Sequence, residues 1–396
     1  MRTLHLLCVL AASYVLGVEP LSVLHGLAAR TTITATVLAI SALSPFVDDA
    51  EGLVASKIPK TISNAVRDTK EAWETFNALT WALTVPALAV TKLEVVREFL
   101  DDEQLTQTFD VSYGTEPLQK LDLFHHNEQS LRPHPVCVFV HGGAWSHGSK
   151  ELFRMVGKRL RNEGYIGVVM NYRRYPFGAS VMDQAEDVGL ALDWVRREVQ
   201  SFNGDPENIV LIGHSSGAHI SALHLLLSET LQPPQHFVSL CAPLDITKHY
   251  NWEVNRGVHE ISALKPANSF SGESESSSAA AAAVRALEIN ANSAFAESSP
   301  TLITAEMDRD ELWARMPPVV HLFHAKDDTT VSAASTSEFH KELTRFDDAE
   351  GGPDIKFILD EEGGHGGIIV DFMLGNSDAS SSTSTIQGII KNIIRV

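Results

Sequence analysis

A short apolar run, Ile209 to Ile212, leads directly into the segment Gly213-His-Ser-Ser-Gly217, and a helical pattern follows from Gly217 to Glu229. A serine flanked by glycines at this spacing, G-x-S-x-G, is typical of a strained turn between a strand and a helix. The glycines are required because side chains at these positions would clash with neighbouring backbone. The helix N-terminus behind the serine favours developing negative charge. The pattern therefore predicts a fold that presents Ser215 as a nucleophile at the edge of a sheet.

From about residue 110 onward, short β-branched runs bounded by turn residues alternate with helical patterns. This alternation predicts an α/β fold, in which a mostly parallel sheet carries helices on both faces. Continuous apolar runs such as Val136 to Val140 indicate strands that are buried on both sides. The predicted strands are Leu121 to Phe124, Val136 to Val140, Gly167 to Met170, Ile209 to Ile212, His236 to Leu240, Val319 to Phe323 and Lys356 to Leu359. The predicted helices include Ser149 to Asn162, Met182 to Gln200 and Gly217 to Glu229.

The composition limits the possible partners. The formal net charge of the 396 residues is -19, which argues against nucleic acid as a partner because no basic surface would neutralise phosphates. The three cysteines, Cys8, Cys137 and Cys241, are too few and too scattered for a disulfide framework, and no Cys/His cluster indicates zinc. Cys137 and Cys241 lie in apolar runs, and we interpret them as core residues.

The N-terminal part of the chain, residues 1–105, is unusually apolar. Met1 to Val18 resembles a signal peptide or signal anchor. Two further apolar segments are Thr31 to Val47 and Trp81 to Val96. A membrane span needs about 20 consecutive apolar residues, and each segment is shorter than that or is broken by proline and polar residues. We expect membrane association, through the leader alone or through all three segments. A cleaved secretory leader on a soluble protein and a cytosolic protein with a hydrophobic N-terminal helix are the alternatives.

The remaining residues, 106–396, are predicted to form one catalytic domain. Two stretches inside it, 271–283 and 376–385, are low in complexity and in large apolar side chains. Such segments bury too little apolar surface to pack, so we interpret both as surface insertions.

A glycine-rich segment, His141-Gly-Gly-Ala-Trp145, immediately follows the predicted strand that ends at Val140. Acyl transfer places a negative charge on the former carbonyl oxygen, and each preorganised backbone N–H that binds it lowers the barrier by about 3 kcal/mol. We therefore predict an oxyanion hole whose donors come from this loop and from the residue after the nucleophile. The predicted donors are Gly142, Gly143 or Ala144 in the loop, together with Ser216. His141 is interpreted as a residue that holds the loop.

An acid and a base follow the serine in the chain order Ser, Asp, His that such sites use. The segment His324-Ala-Lys-Asp-Asp-Thr-Thr-Val331 follows a predicted strand and offers Asp327 or Asp328. We choose Asp328, because in the pattern H-G-x-x-D-x-x-V the acid lies four residues after the histidine, and Asp327 is then a solvated neighbour. His365 lies in the glycine-rich segment DEEGGHGG after the last predicted strand, and we predict it as the general base.

Together these residues predict a serine hydrolase of the α/β-hydrolase fold. His365 would accept the Ser215 proton during attack on an ester carbonyl, and Asp328 would orient the imidazole. No cofactor and no metal are predicted, because GxGxxG, Walker and HExxH motifs are absent from the sequence.

From about residue 113 to the C-terminus the chain resembles the isoprenylcysteine α-carbonyl methylesterases and, more broadly, carboxylesterases with an HGGxW loop. The resemblance implies hydrolysis of the methyl ester on a C-terminal prenylated cysteine by an enzyme of an endomembrane such as the endoplasmic reticulum. The serine/alanine-rich insertion after Phe270 and Ala325, where such loops usually have glycine, depart from the pattern. The matching segments are Tyr113-Gly to Leu121-Asp122, HGGAW at His141, NYRRYP at Asn171, DxxxALDWV from Asp187 to Val195, GHSSGAH at Gly213, HYNWEVNRGVHEIS at His249, SSP at Ser298, HAKDDTTV at His324 and GGHGG at Gly363.

Three alternative functions are compatible with these residues. An arylformamidase uses similar HGGxW and GxSxG elements, and a broad carboxylesterase would act on short acyl esters. A hydrolase-fold binding protein without catalysis is the third, although such proteins usually lack one member of the Ser, Asp and His set. The expected substrate is thus a small-molecule ester or a prenylated peptide ester.

Overall fold

The computed structural model describes residues 106–126, 132–175, 179–229, 232–256, 259, 262–269, 291–347, 349–361 and 363–374. The chain divides into two compact units. The larger consists of Glu103–Trp252, Ala263–Ser274 and Ala286–Val396, and it contains the sheet and the site discussed below. In the smaller, which consists of Met1–Asp102, Glu253–Ser262 and Glu275–Arg285, the described residues are 253–256, 259 and 262.

Eight strands form one sheet in the order β1-β2-β4-β3-β5-β6-β7-β8. The pairs β1–β2 and β2–β4 are antiparallel, and all the other neighbours are parallel. The sheet is therefore mostly parallel, with an antiparallel edge. The strands are β1 Thr106–Ser112, β2 Lys120–His125, β3 His134–Val140, β4 Ile166–Met170, β5 Gly204–His214, β6 His236–Leu240, β7 Val319–Ala325 and β8 Asp354–Asp360.

Helices follow most strands of the sheet. The helix Val181–Glu198 begins with a capping box, in which the side chains of Ser180 and Asp183 each accept from the backbone N–H of the other residue. Short 3-10 helices span Lys150–Phe153 and Val199–Phe202. The α-helices are α1 Arg154–Asn162, α2 Val181–Glu198, α3 Ser216–Leu227, α4 Ile246–Arg256, α5 Leu264–Ser269, α6 Ala291–Glu297, α7 Pro300–Glu306, α8 Arg309–Arg315, α9 Ala333–Leu343 and α10 Gly364–Leu374.

The predicted α/β-hydrolase sheet is confirmed, and every predicted strand is present, most of them extended by one or more residues. The β3 residues from Val136 to Val140 are fully buried, as expected for a central parallel strand. Strand β1 was not predicted, because its side chains are largely exposed and lack an apolar alternation. The predicted helix Ser149 to Asn162 is in fact the 3-10 helix followed by α1.

Two sets of predicted features lie outside the described residues. These are the apolar N-terminal region with its three candidate membrane segments, and the two low-complexity stretches. Across the part of the chain that the structure describes, no helix combines the length and the apolar character needed to span a bilayer.

A buried ion cluster ties the antiparallel edge to the loop region above the sheet. The Lys150 ammonium lies 2.7 Å from carboxylate oxygens of both Asp110 and Asp122, and Asp122 also accepts from Arg154 at 2.7 Å. Lys150 is 1% exposed and Asp122 is fully buried. The Lys150 backbone N–H donates to the Asn171 side chain at 2.6 Å. Removing one partner of a buried pair such as Lys150 and Asp122 typically costs about 3–5 kcal/mol, so this pair fixes β2 to the segment after the glycine-rich loop.

Candidate active site

Ser215 lies at the turn between β5 and α3, with φ 53° and ψ -127°. Its N–H donates to the Leu240 carbonyl at 2.8 Å, which holds the strained turn against β6. A Cβ at Gly213 would lie 2.4 Å from the Cα of Ala218, and one at Gly217 would lie 2.2 Å from the Val140 carbonyl oxygen. Only glycine fits at either position. The close contact between neighbouring backbone segments that the G-x-S-x-G pattern predicts is therefore present.

The structure brings the predicted nucleophile, base and acid together. The Oγ of Ser215 lies 2.9 Å from Nε2 of His365, and Nδ1 of His365 lies 2.8 Å from Oδ2 of Asp328. Because the Asp328 carboxylate can only accept, Nδ1 carries the proton and Nε2 is left as an acceptor. The imidazole is thus in the tautomer that can take the proton of the serine hydroxyl.

Asp328 is held in place from several sides. One carboxylate oxygen accepts from the backbone N–H groups of Thr330 and Val331, each at 2.8 Å. Burial alone raises the pKa of Asp328, but the nearby His365 and His324 outweigh it, and the pKa lies well below its usual range. Asp328 is therefore charged, as an acid that stabilises an imidazolium must be.

The neighbouring Asp327 is exposed, as predicted, but it is not merely solvated. Its carboxylate accepts from the N–H groups of Gly363 at 3.2 Å and of Gly364 at 2.8 Å. Both glycines have positive φ, of 139° and 58°. Asp327 thus secures the turn before His365, a contact between distant segments that no local sequence pattern indicates.

The loop after β3 has the backbone of a preformed anion site. Gly143, Ala144 and Trp145 all have positive φ, of 143°, 47° and 62°. Within the described residues, the N–H groups of the four predicted donors make no backbone hydrogen bond. The donor at Ser216 is in the first turn of α3, where N–H groups have no helical acceptor. The backbone N–H groups of the four predicted donors are therefore available to bind an oxyanion. These donors are Gly142, Gly143, Ala144 and Ser216.

The loop is fixed by its own histidine and by the segment after β4. The His141 Nδ1–H donates to the Gly142 carbonyl at 2.8 Å, and burial lowers the pKa of His141 to about 4. The Tyr172 hydroxyl donates to the His141 carbonyl at 3.0 Å. The N–H of Tyr175 donates to the Trp145 carbonyl at 3.1 Å. His141 therefore has the loop-holding contacts predicted for it, and the segment at residues 171–175 packs against the loop.

Trp145 anchors the far end of the loop to α3. Its indole N–H donates to Nδ1 of His219 at 3.0 Å, and Nε2–H of His219 donates to the Ser298 carbonyl at 2.7 Å. Gln184 also donates to the Trp145 carbonyl, at 2.8 Å. Burial lowers the pKa of His219 to about 4, so the imidazole is neutral and can relay these bonds. The sequence did not indicate this series of hydrogen bonds, because the residues that form it come from four separate segments.

The acid Asp328 and two buried side chains beside it have the ligand types of a metal site. Atoms of Cys241, His324 and Asp328 lie within 4.8 Å of one another. They already have partners, since His324 donates to the Val331 carbonyl at 3.0 Å and Asp328 accepts from His365. Burial, and then Asp328, raise the pKa of the Cys241 thiol well above its usual range, which disfavours a thiolate ligand. We assign the cluster to the surroundings of the acid.

Comparison with known proteins identifies the family of this chain. The model of the BD-FAE family matches residues 121–343, which is more than half of the chain. The chain belongs to the BD-FAE family. The matched region contains the glycine-rich loop, Ser215 and Asp328, whereas His365 lies beyond it.

Curated relatives of this BD-FAE protein carry esterase names. It is 26% identical over 269 residues to "Probable isoprenylcysteine alpha-carbonyl methylesterase ICMEL1" from Arabidopsis thaliana. The aligned region covers 68% of this chain and 53% of the relative. It is 35% identical over 149 residues to "Esterase LipC" from Mycobacterium tuberculosis. That aligned region covers 36% of this chain and 37% of the relative. The chain thus spans about half or less of the length of these relatives.

Among solved structures, the BD-FAE protein resembles esterase B from Lactobacillus rhamnosis, with a TM-score of 0.55 at 16% identity. The likeness covers 79% of this chain and 93% of the solved chain. At this identity it establishes the fold, which is that of the α/β hydrolases.

Gly142 offers a test of the preformed loop. A Cβ there would lie 2.9 Å from both the Cβ of Ser215 and Nδ1 of His214. We expect Gly142→Ala to lower the kcat for a p-nitrophenyl ester by about 100- to 1000-fold, the effect of losing one oxyanion donor. Gly366→Ala is the matched control, because a Cβ there meets no described atom within 4 Å. Equal rates for the two variants would contradict the assignment of this loop.

Proposed function

We propose that this BD-FAE protein is a serine carboxylic ester hydrolase. The observation that carries the proposal is the continuous hydrogen-bonded series Ser215, His365 and Asp328, with both contacts under 3.0 Å. The glycine-rich loop beside Ser215 and the esterase names of the relatives support it.

The geometry supports a two-step reaction. As Oγ of Ser215 attacks the ester carbonyl carbon, Nε2 of His365 takes the hydroxyl proton, and the resulting oxyanion accepts from the N–H groups of the loop and of Ser216. His365 then passes the proton to the leaving alcohol, which departs and leaves an acyl group on Ser215. Water attacks this acyl-enzyme with His365 again as base, and the collapse releases the acid and restores the serine.

For the substrate, we propose the methyl ester of a prenylated cysteine. The motifs around the site resemble those of the isoprenylcysteine α-carbonyl methylesterases, and one of the relatives reported above is named for that activity. A prenyl group partitions into bilayers, which would suit an enzyme held at an endomembrane by its apolar N-terminal segments. Membrane attachment and residence in the endoplasmic reticulum are part of this proposal.

A substrate comparison tests the assignment. We expect the detergent-solubilised protein to hydrolyse a farnesylcysteine methyl ester with a kcat/KM at least about 100-fold above that for a short p-nitrophenyl ester or N-formylkynurenine, since specificity is a ratio of kcat/KM values. A farnesylcysteine amide, which keeps the prenyl group but has no methyl ester, should bind competitively.

A broad carboxylesterase is the second candidate, because "Esterase LipC" is also among the relatives. A higher kcat/KM for the short ester would favour it, and preference for the formylated compound would favour an arylformamidase. Either result would leave the serine mechanism in place and overturn the prenylcysteine substrate.

A further inference from the structure

His214, the residue before Ser215 in the G-x-S-x-G segment, contacts the backbone of the predicted general base. Its Nε2 lies 2.9 Å from the main-chain carbonyl oxygen of His365, and the two imidazole rings lie 5.1 Å apart at 42°. Since a carbonyl can only accept, Nε2–H of His214 donates. The residue next to the nucleophile thus binds the first turn of α10, which carries the base.

The hydrogen-bonding state of His214 is well defined. The residue is 7% exposed, and burial, followed by the proximity of His365, lowers its pKa to about 3. The ring is therefore neutral, with its proton on Nε2. Nδ1 faces the glycine-rich loop, 2.9 Å from where a Cβ of Gly142 would lie, and it has no hydrogen-bond partner among the described residues.

His365 lies in the first turn of α10, and the glycines beside it carry no side chain that could pack. At Gly364, Gly366 and Gly367, an added Cβ would meet no described atom within 4 Å. The packing of α10 comes from residues further along the helix, such as the buried Ile368 and Phe372, and hydrogen bonds near His365 help to set the position of the imidazole. Among these hydrogen bonds are the bond from Nδ1 to Asp328, the bonds from the preceding turn to Asp327, and the bond from His214 to the His365 carbonyl.

We propose that His214 is a positioning residue, which sets the distance between Nε2 of His365 and Oγ of Ser215 by binding the main-chain carbonyl of His365. This inference rests on the proposed serine hydrolase function. The described hydrogen bond of His214 is to the main chain of His365, and not to the Asp328 carboxylate or to an N–H group of the oxyanion loop. The bond ties β5 to α10, so the nucleophile and the base share one rigid support.

A pair of substitutions isolates the hydrogen bond. His214→Phe keeps a buried ring but removes the donor, whereas His214→Gln keeps an amide N–H near the position of Nε2. We expect His214→Phe to lower kcat on the order of 100-fold with KM nearly unchanged, because a misplaced base loses rate rather than binding. His214→Gln should recover most of that loss. Both variants are assayed with a p-nitrophenyl ester, with thermal unfolding measured in parallel.

The matched control is His321→Phe, which replaces another buried imidazole, on β7, with 6% exposure and no part in the proposed chemistry. It should leave kcat close to that of the wild type. A His214→Phe variant with wild-type kcat would overturn the proposal. A folded Gln variant as slow as the Phe variant would also overturn it, because the donor would then not be what matters.

Should the Phe variant fail to fold, Gln is compared with Asn, whose shorter amide does not reach the carbonyl. Faster turnover by Gln supports the proposal, and equal turnover overturns it. Ser215→Ala in the same assay separates this question from the proposed function: full activity in Ser215→Ala would mean that the serine mechanism itself is wrong.

Discussion

Replacing Ser215 with alanine is expected to lower kcat for a p-nitrophenyl ester by about 10⁶-fold, the scale seen when a serine nucleophile is removed from a complete set of catalytic groups. The expected effect is this large because the Ser215 hydroxyl, 2.9 Å from Nε2 of His365, is the attacking group of the proposed reaction. Steady-state hydrolysis, with background rates subtracted, is the measurement. A fluorophosphonate probe should label the wild type and not the variant.

Ser221→Ala provides the control. Ser221 is also buried on α3, and its hydroxyl donates to the Gly217 carbonyl at 2.7 Å within the helix. Its loss should change kcat little. If Ser215→Ala retained the wild-type rate, the observed hydrolysis would come from another group, and the assignment of the nucleophile would be wrong.

The second large effect is expected for Asp328→Asn, with a loss in kcat of about 10⁴-fold. The substitution preserves the shape of the side chain but replaces an accepting oxygen with an N–H group opposite His365. The imidazole would then place its proton on Nε2, where it blocks proton transfer from Ser215. The measurement is kcat at the pH optimum, with thermal unfolding to show that the variant is folded.

Asp327→Asn is the matched control for this pair of adjacent carboxylates. Its carboxylate accepts only from backbone N–H groups of the turn at Gly363 and Gly364 among its described hydrogen bonds. An asparagine oxygen can still accept one of these bonds, so a far smaller loss is expected. If Asp327→Asn were the slower variant, the choice of Asp328 as the acid would be reversed.

Local patterns predicted the central strands and the three side chains that meet at the site. The strand before Ser215 and the one before the HGGAW loop are continuous apolar runs bounded by turn residues, so their periodicity and their ends are both visible in the sequence. Edge strand β1 was not visible in the same way, because it is held by pairing to β2 and by the ion pair from Lys150 to Asp110. Those contacts depend on residues far along the chain.

Within the site, contiguous motifs were visible in the sequence, whereas contacts between distant segments were not. Ser215 and the glycines around it form one contiguous motif, which can be read without knowing the fold. The support given by His219 to Trp145, or by Asp327 to the turn before His365, joins segments that are distant in sequence. A lone histidine or aspartate carries no local signal of such a partner.

The order of these pieces along the chain has a consequence for how activity is gained during folding. His365 follows β8, the edge strand that pairs with β7, while Ser215 follows the central strand β5. Hydrolysis therefore requires that the last described strand and α10 have already docked. Because such non-local parallel pairing is slow to form, we expect the return of activity in a refolding experiment to lag behind the return of helical signal. Enzyme turnover would then report completion of the native sheet.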